Sequence, residues 1–284
     1  MIASVRPRHA VSGSEPASDA SPILAIRNLS FSYGAVRIFE ELDCEVRQGE
    51  FLCVVGPSGV GKTTLLQCLA GLRLPTKGGV VLKGNLVTAP PAELAVVFQD
   101  YSRSLMPWLT AEENITLPLR SARLSRAECH QRARKALEEV GLVGVEGKYP
   151  WQLSGGMQQR VAIARALAYQ PSIIIMDEPF ASVDAQTRSD LEDLVLNVRQ
   201  HLGITIVLVT HDIDEAVYLS DRVLVLSGRP AKVLDIVDVN LGRQRDQIGT
   251  KSLPEFAELR SRVYRLIRRK PSHGGVPADD GGER

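Results

Sequence analysis

Short apolar runs alternate with longer amphipathic segments through the middle of the chain. Residues 51–55, 172–176 and 204–209 are almost wholly apolar, the pattern of strands that are buried on both faces. Residues 125–140 and 187–202 repeat apolar side chains every three or four positions, which predicts helices with one buried face. This alternation of strands and helices predicts an α/β domain with a parallel core.

The N-terminal part of this domain has a different pattern. Residues 23–33 alternate in polarity, residues 39–46 do so less cleanly, and 48–50 look like a hairpin turn into the strand at 51–55. We therefore expect an antiparallel β subdomain ahead of the parallel core. From about 100 to 165 the strand-like runs give way to helical spacing, which predicts an inserted α-helical subdomain.

The pattern also sets the expected domain boundaries. Residues 222–226 and 231–236 predict a second hairpin, after which the chain becomes polar. We expect one domain over residues 22–240, preceded by a tail at 1–21 that is rich in Ser, Ala and Pro and disordered. Residues 241–284 are expected to be a C-terminal extension with a disordered end.

The C-terminal extension contains one amphipathic helix, predicted over residues 255–269. Five apolar side chains share one face of this helix, and five arginines share the other. The basic face fits two roles. It is suited to contact with an anionic membrane surface, but the sequence favours the exterior of a helix docked on its own domain.

Composition narrows the classes of protein to which the chain can belong. It has 284 residues and 44% hydrophobic content, enough for one large domain or two small ones. The formal net charge of +1 gives no sign of a nucleic-acid partner, and no apolar run is long enough to span a bilayer. The N-terminus lacks the apolar core of a signal peptide, and the four cysteines lack metal-binding spacing. We expect reduced thiols in a cytosolic protein.

The most informative stretch is a glycine-rich turn between the strand at 51–55 and a helical segment. Its glycines let the backbone wrap closely around a phosphate, and successive N–H groups form an anion-binding concavity. Lys62 supplies a mobile charge for the β- and γ-phosphates, and Thr63 supplies a hydroxyl for Mg²⁺. The strand–turn–helix setting favours a phosphate-binding P-loop over a chance turn. This P-loop comprises Gly56, Pro57, Ser58, Gly59, Val60, Gly61, Lys62, Thr63 and Thr64.

Acidic and imidazole side chains follow two other predicted strands. Asp177 and Glu178 come after the run at 172–176, and His211 comes after the run at 204–209. Ligands bind at the carboxyl ends of the strands in open α/β sheets, so these groups belong to the expected site. Neighbouring residues on a strand point to opposite sides, which lets Asp177 hold Mg²⁺ while Glu178 acts as a general base toward water. The alternative is that the acids are merely solvated and the histidine is structural.

Three further features carry less specific chemistry. Gln99 ends a short apolar strand, where its carbonyl oxygen can reach a metal or a water, although such a residue is often just a surface residue. Tyr33 also ends a strand, and its ring fits either stacking on adenine or cover for a sheet edge. Ser154, Gly155 and Gly156 begin a helix with a hydroxyl N-cap and two glycines. The bare first turn of that helix is a second anion site, unless it is simply a capped helix.

An apolar loop interrupts the predicted helical subdomain. It consists of Met106, Pro107, Trp108 and Leu109. An apolar loop near the surface fits a partner-binding patch. It fits equally well a loop that is tucked onto the helices.

Taken in order, these motifs resemble the ATP-binding subunit of an ABC transporter over roughly residues 23–240. The P-loop matches Walker A, and the strand ending in Asp177 and Glu178 matches Walker B. Residues 153–160 match the ABC signature, the most specific motif of the set. The resemblance implies an ABC-type nucleotide-binding fold, a P-loop NTPase with an antiparallel β subdomain and an inserted helical subdomain.

The resemblance also assigns the less specific residues. It places Gln99 in the Q-loop, Tyr33 at the adenine-contacting A-loop and His211 at the switch histidine. Ser182, Val183 and Asp184 fall at the D-loop, where Ala-Leu-Asp is usual, so the aspartate is kept and the two residues before it depart. The implied catalytic residues are Glu178, His211, Lys62 and Gln99. The implied Mg²⁺ contacts are Thr63, Gln99 and Asp177, and the implied ATP contacts are Tyr33, the P-loop, Ser154, Gly155, Gly156 and Asp184.

The family arrangement implies that two copies pair head to tail, so that residues 154–156 of one copy close over ATP held on the P-loop of the other. The implied partners are this second copy, an integral membrane permease, and a periplasmic or lipid-anchored substrate-binding protein. The 106–109 loop would pass motion to the permease, at the cytoplasmic face of the cell membrane. Segments around 97–100, 105–110, 113–114 and 184–188, together with the C-terminal helix at 256–269, look like the importer group for nitrate, sulfonates and taurine.

Other members of the family offer alternatives to this interpretation. One is the ATPase of another importer type, and another is a soluble ABC ATPase acting on nucleic acid or ribosomes. The second kind usually carries two cassettes, coiled-coil arms or zinc inserts, and none of these is evident in the sequence. A regulatory cassette without hydrolysis is a third alternative, against which Glu178 and His211 both argue.

Overall fold

The computed structural model describes residues 22–99 and 104–268. The expectations for residues 1–21 and for the chain after 268 lie outside the described residues. The strands are β1 (Leu24–Tyr33), β2 (Val36–Val46), β3 (Phe51–Val55), β4 (Lys77–Leu82), β5 (Asn85–Leu86), β6 (Leu94–Val97), β7 (Ile173–Asp177), β8 (Thr205–Val209), β9 (Arg222–Gly228) and β10 (Ala231–Asp238). The α-helices are α1 (Lys62–Leu69), α2 (Ala111–Thr116), α3 (Arg126–Glu139), α4 (Gly155–Ala168), α5 (Ala185–Leu202), α6 (Ile213–Leu219) and α7 (Pro254–Arg268).

The strands of the described residues form one mixed sheet in the order β5-β4-β1-β2-β10-β9-β3-β8-β7-β6. From β9 to β6 every neighbouring pair is parallel. Strands β1, β2, β4 and β5 pair antiparallel with one another, and β9 pairs antiparallel with β10 as the predicted hairpin. The predicted combination of an antiparallel part with a parallel α/β core is therefore confirmed.

The turn at residues 48–50 corrects one expectation, because it does not form a hairpin. Strands β10 and β9 lie between β2 and β3 in the sheet, so the turn joins strands that are not neighbours. The turn is held instead by distant elements: the Gly49 N–H donates to Thr205 Oγ1 at 2.9 Å, and Arg199 donates to the Gly49 carbonyl. Local turn chemistry marks a reversal of the chain but does not determine which strand pairs with which.

The central strands are buried on both faces of the sheet, as their apolar runs predict. In β3, Phe51, Cys53 and Val55 belong to one hydrophobic cluster, while Leu52 and Val54 belong to a second cluster on the opposite face. This division follows from the alternation of side chains along a strand. Helices therefore cover both faces, and the polar groups that follow the strands collect at the sheet edge.

A helical layer formed by α2, α3 and α4 is inserted between β6 and β7. Helices α2 and α3 begin with capping boxes, in which Thr110 pairs with Glu113, and Ser125 pairs with Glu128 as the sequence predicts. The two helices pack on each other and on α4. The insertion predicted from the loss of strand-like runs is thus present in the fold.

Helix α7 is docked on its own domain. Phe256 and Val263 are buried in the same core cluster as the central strands. The helix contacts α6 and β9, and Arg262 on its polar face hydrogen-bonds Asp235 at 3.0 Å. Of the two roles that the sequence fits, membrane contact and docking on its own domain, the structure shows the docking.

Candidate active site

Four neighbouring parallel strands deliver the predicted site residues to one edge of the sheet. Strand β3 leads into the P-loop, and β8 ends two residues before His211. Strand β7 ends at Asp177, directly before Glu178, and β6 ends two residues before Gln99. Since these strands are parallel and adjacent, their carboxyl ends bring together groups that are far apart in sequence.

The P-loop adopts a backbone that only glycine adopts readily at two of its positions. Gly59 has φ +74° and Gly61 has φ +105°, both in the left-handed region. Gly61 is also packed closely, because a Cβ there would lie 2.6 Å from Ile38 Cγ2 on β2. The glycines therefore determine the backbone conformation of the loop, and the loop packs against β2 of the antiparallel part of the sheet.

The other loop residues divide between the core and the open side. Val60 is buried, so it fastens the loop to the core, and Gly56 and Thr64 are buried or half-buried. Exposed positions are Pro57, Ser58, Gly59 and Thr63. The exposed positions form the surface on which a phosphate can lie.

Lys62 lies folded beneath the loop rather than extended into solvent. Its Nζ donates to the carbonyl oxygen of Gly56 at 3.0 Å and to that of Pro57 at 3.4 Å. Burial lowers the pKa of Lys62, while the charges of Glu178 and Asp177 raise it. A buried ammonium whose partners are mainly backbone carbonyls is available to pair with an arriving anion.

Asp177 and Thr63 form the natural position for a divalent cation. Asp177 is buried, which raises the pKa of its carboxyl, while a hydrogen bond from the Thr63 hydroxyl lowers it. The Oδ1 atom of Asp177 is buried and has no hydrogen-bond partner among the residues that the structure describes. A carboxylate oxygen left unsatisfied beside a hydroxyl oxygen is a donor set that suits Mg²⁺.

Glu178 has an unusual backbone conformation at the centre of the site. Its φ of +42° lies in the left-handed region, which costs a non-glycine residue free energy, and its N–H donates to the Val209 carbonyl at 2.8 Å. Its Oε2 accepts a hydrogen bond from Gln99 Nε2 at 3.3 Å and lies 3.0 Å from His211 Nδ1. The structure thus joins three predicted residues directly, with Gln99 presenting its amide nitrogen to Glu178.

Tyr33 lies at the end of β1 with 43% of its surface exposed. Its ring packs edge-on against Phe31, with centroids 4.8 Å apart, and Phe31 packs on Phe39 of β2. The guanidinium of Arg73 lies 5.1 Å from the centroid of the Tyr33 ring. The ring is therefore an accessible aromatic surface with a neighbouring cation.

We call residues 154–156 the signature turn. Its contacts lie within α4 and with the first turn of α5 rather than with the P-loop. Ser154 caps α4 by accepting the Met157 N–H at 3.3 Å. A Cβ on Gly156 would overlap the Cγ2 methyl of Thr187 in the first turn of α5. Asp184 caps α5, and its two carboxylate oxygens accept the N–H and the hydroxyl of Thr187 at 3.0 and 2.7 Å. These two bonds lower the pKa of the Asp184 carboxyl.

A polar network behind His211 was not found from the sequence. The Thr210 hydroxyl donates to Glu215 Oε2 at 2.6 Å and accepts the Asp212 N–H at 3.0 Å. Burial raises the pKa of Glu215 to about 7. Glu215 lies six residues after the end of β8 and three residues after Asp212, the N-cap of α6. Its position in the first turn of a helix that follows a site strand was the only signal in the sequence that could have identified it.

The 106–109 loop is fastened by one buried side chain. Asn114 in α2 donates to the carbonyl oxygens of Met106, Leu109 and Thr110 at 3.0–3.1 Å and accepts the Met106 N–H at 2.7 Å. Trp108 projects from this fixed backbone with 68% of its surface exposed. The loop therefore has an anchored backbone and an exposed aromatic ring.

The fold and the site define a P-loop ATPase of the α/β class. The family model described as ABC transporter matches residues 39–181, and the chain belongs to this family as an ATP-binding subunit that hydrolyses ATP. No helix in the described ranges, 22–99 and 104–268, has the length and apolar character needed to cross a membrane.

Three relatives show how far the sequence similarity extends. An uncharacterized ABC transporter ATP-binding protein of Methanocaldococcus jannaschii is 47% identical over 86% of this chain and 91% of its own length. The nitrate import ATP-binding protein NrtD of Synechococcus elongatus is 42% identical over 82% and 86%. The aliphatic sulfonates import ATP-binding protein SsuB of Bacillus anthracis is 39% identical over 86% and 92%.

Two solved structures share the fold. CbiO1 of Clostridium perfringens, part of the ABC transporter complex CbiONQ, superposes with a TM-score of 0.71 and 27% identity, covering 77% of this chain and 89% of CbiO1. A dimeric ATP-binding cassette in a post-hydrolysis state, bound to ADP and Pi, superposes with a TM-score of 0.67 and 32% identity, covering 76% and 99%.

Proposed function

We propose that this chain is the ATP-hydrolysing subunit of an importer for a small anion such as nitrate, a sulfonate or taurine. The observation that carries the proposal is the meeting of the P-loop, Asp177, Glu178, His211 and Gln99 at one sheet edge, while the signature turn contacts other elements. The first group is suited to cleaving a phosphoanhydride. The separate signature turn is suited to closing a second copy of the site.

The phosphates of ATP lie on the P-loop, where Lys62 exchanges its backbone partners for the β- and γ-phosphate oxygens. Thr63 and Asp177, with Gln99 nearby, would hold Mg²⁺, which neutralises phosphate charge when it is bound. Tyr33 offers its ring face to adenine. The rest of the chemistry is carried by side chains at the end of β7.

Glu178 is the general base. It takes a proton from water as the water oxygen attacks the γ-phosphorus, and ADP leaves with the electron pair of the broken P–O bond. His211, 3.0 Å from the carboxylate, fixes its orientation and is placed to contact the γ-phosphate. Gln99 donates to the same carboxylate and ties the site to the helical layer. Loss of the γ-phosphate therefore changes the surroundings of a residue that leads into that layer.

The complete site needs two copies of the chain, paired head to tail. Ser154, Gly155 and Gly156 present the N–H groups of the first turn of α4, a suitable partner for phosphate held by the other copy. Asp184 stands in the neighbouring loop and contacts the same interface. The dimeric solved cassette with ADP and Pi supports the pairing of two copies.

The membrane part of the transporter belongs to other chains. We propose that the exposed Trp108 on the anchored 106–109 loop contacts an integral permease at the cytoplasmic face of the membrane. A separate periplasmic or lipid-anchored binding protein selects the solute. The similarity to NrtD and SsuB, at 42% and 39% identity, supports nitrate or a sulfonate as the solute class.

The substitution E178Q tests the ATPase assignment. It should retain ATP binding, reduce hydrolysis by about 10²–10⁴-fold, and accumulate an ATP-dependent dimer, because the amide cannot accept the proton. The change E255Q, at an exposed position of α7, is the matched control and should hydrolyse ATP normally. A normal rate in E178Q would exclude Glu178 as the base.

Co-purification and uptake test the transport assignment. The chain should co-purify with a membrane permease, and a deletion strain should lose uptake of nitrate, taurine or an aliphatic sulfonate. Recovery with ribosomes or nucleic acid instead of a permease would favour the soluble ATPase alternative and exclude transport.

A further inference from the structure

The first turn of α5 contacts three functional loops of the same chain. These are the signature turn, the D-loop at residues 182–184, and the loop at residues 210–212, which we call the switch loop. Thr187 and Arg188 make the contacts, and the motifs in the sequence assign neither residue a role. Their positions suit residues that set the relative placement of loops rather than residues that touch ATP.

Thr187 joins the signature turn to the D-loop. Its methyl group occupies the space that a side chain at Gly156 would need, so the two backbones approach closely at this point. Its hydroxyl donates to Asp184 at 2.7 Å, and its N–H donates to the other carboxylate oxygen at 3.0 Å. A displacement of the signature turn is therefore passed to the D-loop through one side chain.

Arg188 joins the same turn of α5 to the switch loop. Its Nη1 lies 3.6 Å from Asp212 Oδ2, and its Nε lies 3.7 Å from Glu215 Oε1. The arginine side chain is two-thirds covered, and Glu215 is buried, so solvent screens this pairing less than it screens a surface ion pair. Arg188 thus holds two acids that belong to the segment following His211.

Those two acids control the backbone on both sides of His211. Glu215 accepts the hydroxyl of Thr210, and the same hydroxyl accepts the N–H of Asp212. Asp212 in turn caps α6 by accepting the N–H groups of Asp214 and Glu215 at 2.8 and 3.2 Å. The orientation of the imidazole toward Glu178 therefore depends on a chain of contacts that ends at Arg188.

We propose that Thr187 and Arg188 are positioning residues that fix the signature turn and the switch loop of one chain relative to each other. This inference rests on the proposed head-to-tail function, in which the two loops serve different ATP molecules. The first turn of α5 then mechanically connects the two ATP sites within each chain. Closure of the signature turn on one nucleotide sets the position of His211 at the other.

A double-mutant cycle between Arg188 and His211 tests one half of the proposal. R188Q should lower kcat by about 10- to 100-fold, with nucleotide affinity of the single chain unchanged, because a displaced catalytic group loses its geometry. In the H211A background R188Q should have no further effect, since it acts through the imidazole. R188K, which keeps the charge, should recover part of the rate.

The outcomes of this cycle are distinguishable. Independent, multiplicative effects of the two substitutions, or a normal kcat in R188Q while H211A is inactive, would overturn the positioning role of Arg188 alone. A normal rate in H211A would instead remove the proposed role of His211, and the role of Arg188 with it. A parallel loss of kcat and thermal stability in R188Q, unrecovered by R188K, would mark a merely structural residue and overturn the proposal.

A second cycle, between Gly156 and Thr187, tests the other half. In the E178Q background, G156A should raise the ATP concentration needed for dimerisation by about 5- to 100-fold, because the added methyl displaces the turn. T187S removes the methyl that G156A meets and keeps the hydroxyl on Asp184, so G156A combined with T187S should recover most of the dimerisation. No recovery in the double variant would overturn the role of Thr187.

Discussion

The sheet edge and the signature turn are the two proposed phosphate sites, and they are held in place differently. The sheet edge is assembled by hydrogen-bonded strands, and Glu178 reaches Gln99 and His211 at 3.3 and 3.0 Å within one chain. The signature turn is held by its N-cap and by packing against Thr187. In the proposed dimer, strand pairing assembles the sheet-edge half of the site within one chain, whereas the signature half is positioned by loop packing.

Of the predictions that compare these two sites, the largest effect is expected from removing the Lys62 ammonium at the sheet edge. K62A should reduce ATP hydrolysis by about 10²–10³-fold, in the range for losing one preorganised charged donor. It should also weaken nucleotide binding by the single chain, measured by equilibrium binding of a fluorescent ATP analogue. S154A, which changes the signature turn, should leave that binding unchanged and impair only ATP-dependent dimerisation. Equal losses of single-chain binding in both variants would contradict the division into two half-sites.

In the helical layer, loss of the Asn114 side chain should lower the unfolding free energy, because this one residue holds the 106–110 segment. N114A removes the side-chain hydrogen bonds to three carbonyl oxygens and one N–H of the 106–110 segment. The Met106 and Thr110 carbonyls keep a backbone N–H donor, so the expected cost is about 2 kcal/mol in unfolding free energy. Urea denaturation measures this loss. The matched control is N85A at an exposed site, which should cost less than about 0.5 kcal/mol. A loss in N114A as small as that of the control would show that the loop is held by something else.

Glu215, which hydrogen-bonds the switch loop, should make the stability of the protein depend on pH. Burial raises the pKa of Glu215 to about 7 from its ordinary value of 4.5, so the folded state binds the proton more tightly than the unfolded state does. Stability should therefore fall as pH rises from about 4.5 to 7, by up to about 3 kcal/mol, and remain lower above 7. E215Q cannot titrate at this position and should lack that fall, as measured by urea denaturation across pH.

The variant T210V sharpens the test of Glu215. The hydrogen bond from Thr210 lowers the pKa of Glu215, so its removal should move the pH window upward. A difference in unfolding free energy between wild type and E215Q that stays constant with pH would contradict the raised pKa.

The sequence predicted the structure best where a residue pattern corresponds to only one local geometry. Apolar runs that end in Asp177, Glu178 and His211 predicted one edge because the carboxyl ends of adjacent parallel strands meet there. The glycines of the P-loop were equally predictive, since few backbones require that spacing. The antiparallel part, the inserted helices and the apolar face of α7 followed from periodicity, whereas the docking of α7 was only one of two alternatives.

Contacts across large sequence distances could not be predicted in the same way. The 48–50 turn joins strands separated by β10 and β9, and no local residue records that insertion. Thr187 and Arg188 look like ordinary first-turn helix residues, and their meaning depends on packing against Gly156 and the acids near His211. Asn114 belongs to the importer-like segment 113–114, but nothing local in the sequence indicates that four hydrogen bonds depend on it.

The smallest expected effect lies at the rim of the sheet edge, at Tyr33. Stacking on an adenine contributes roughly 1–3 kcal/mol, and the 43% exposed ring has only part of a pocket around it, so Y33A should weaken ATP binding by about fivefold. Y33W keeps a larger ring face and should bind at least as tightly as the wild type. Because five strands separate β1 from β7 in the sheet, Y33A should hardly change kcat at saturating ATP. R73A removes the guanidinium 5.1 Å from the ring and should affect binding less than Y33A does. An R73A effect equal to that of Y33A would mean that the cation, rather than the aromatic face, provides the binding energy at this rim.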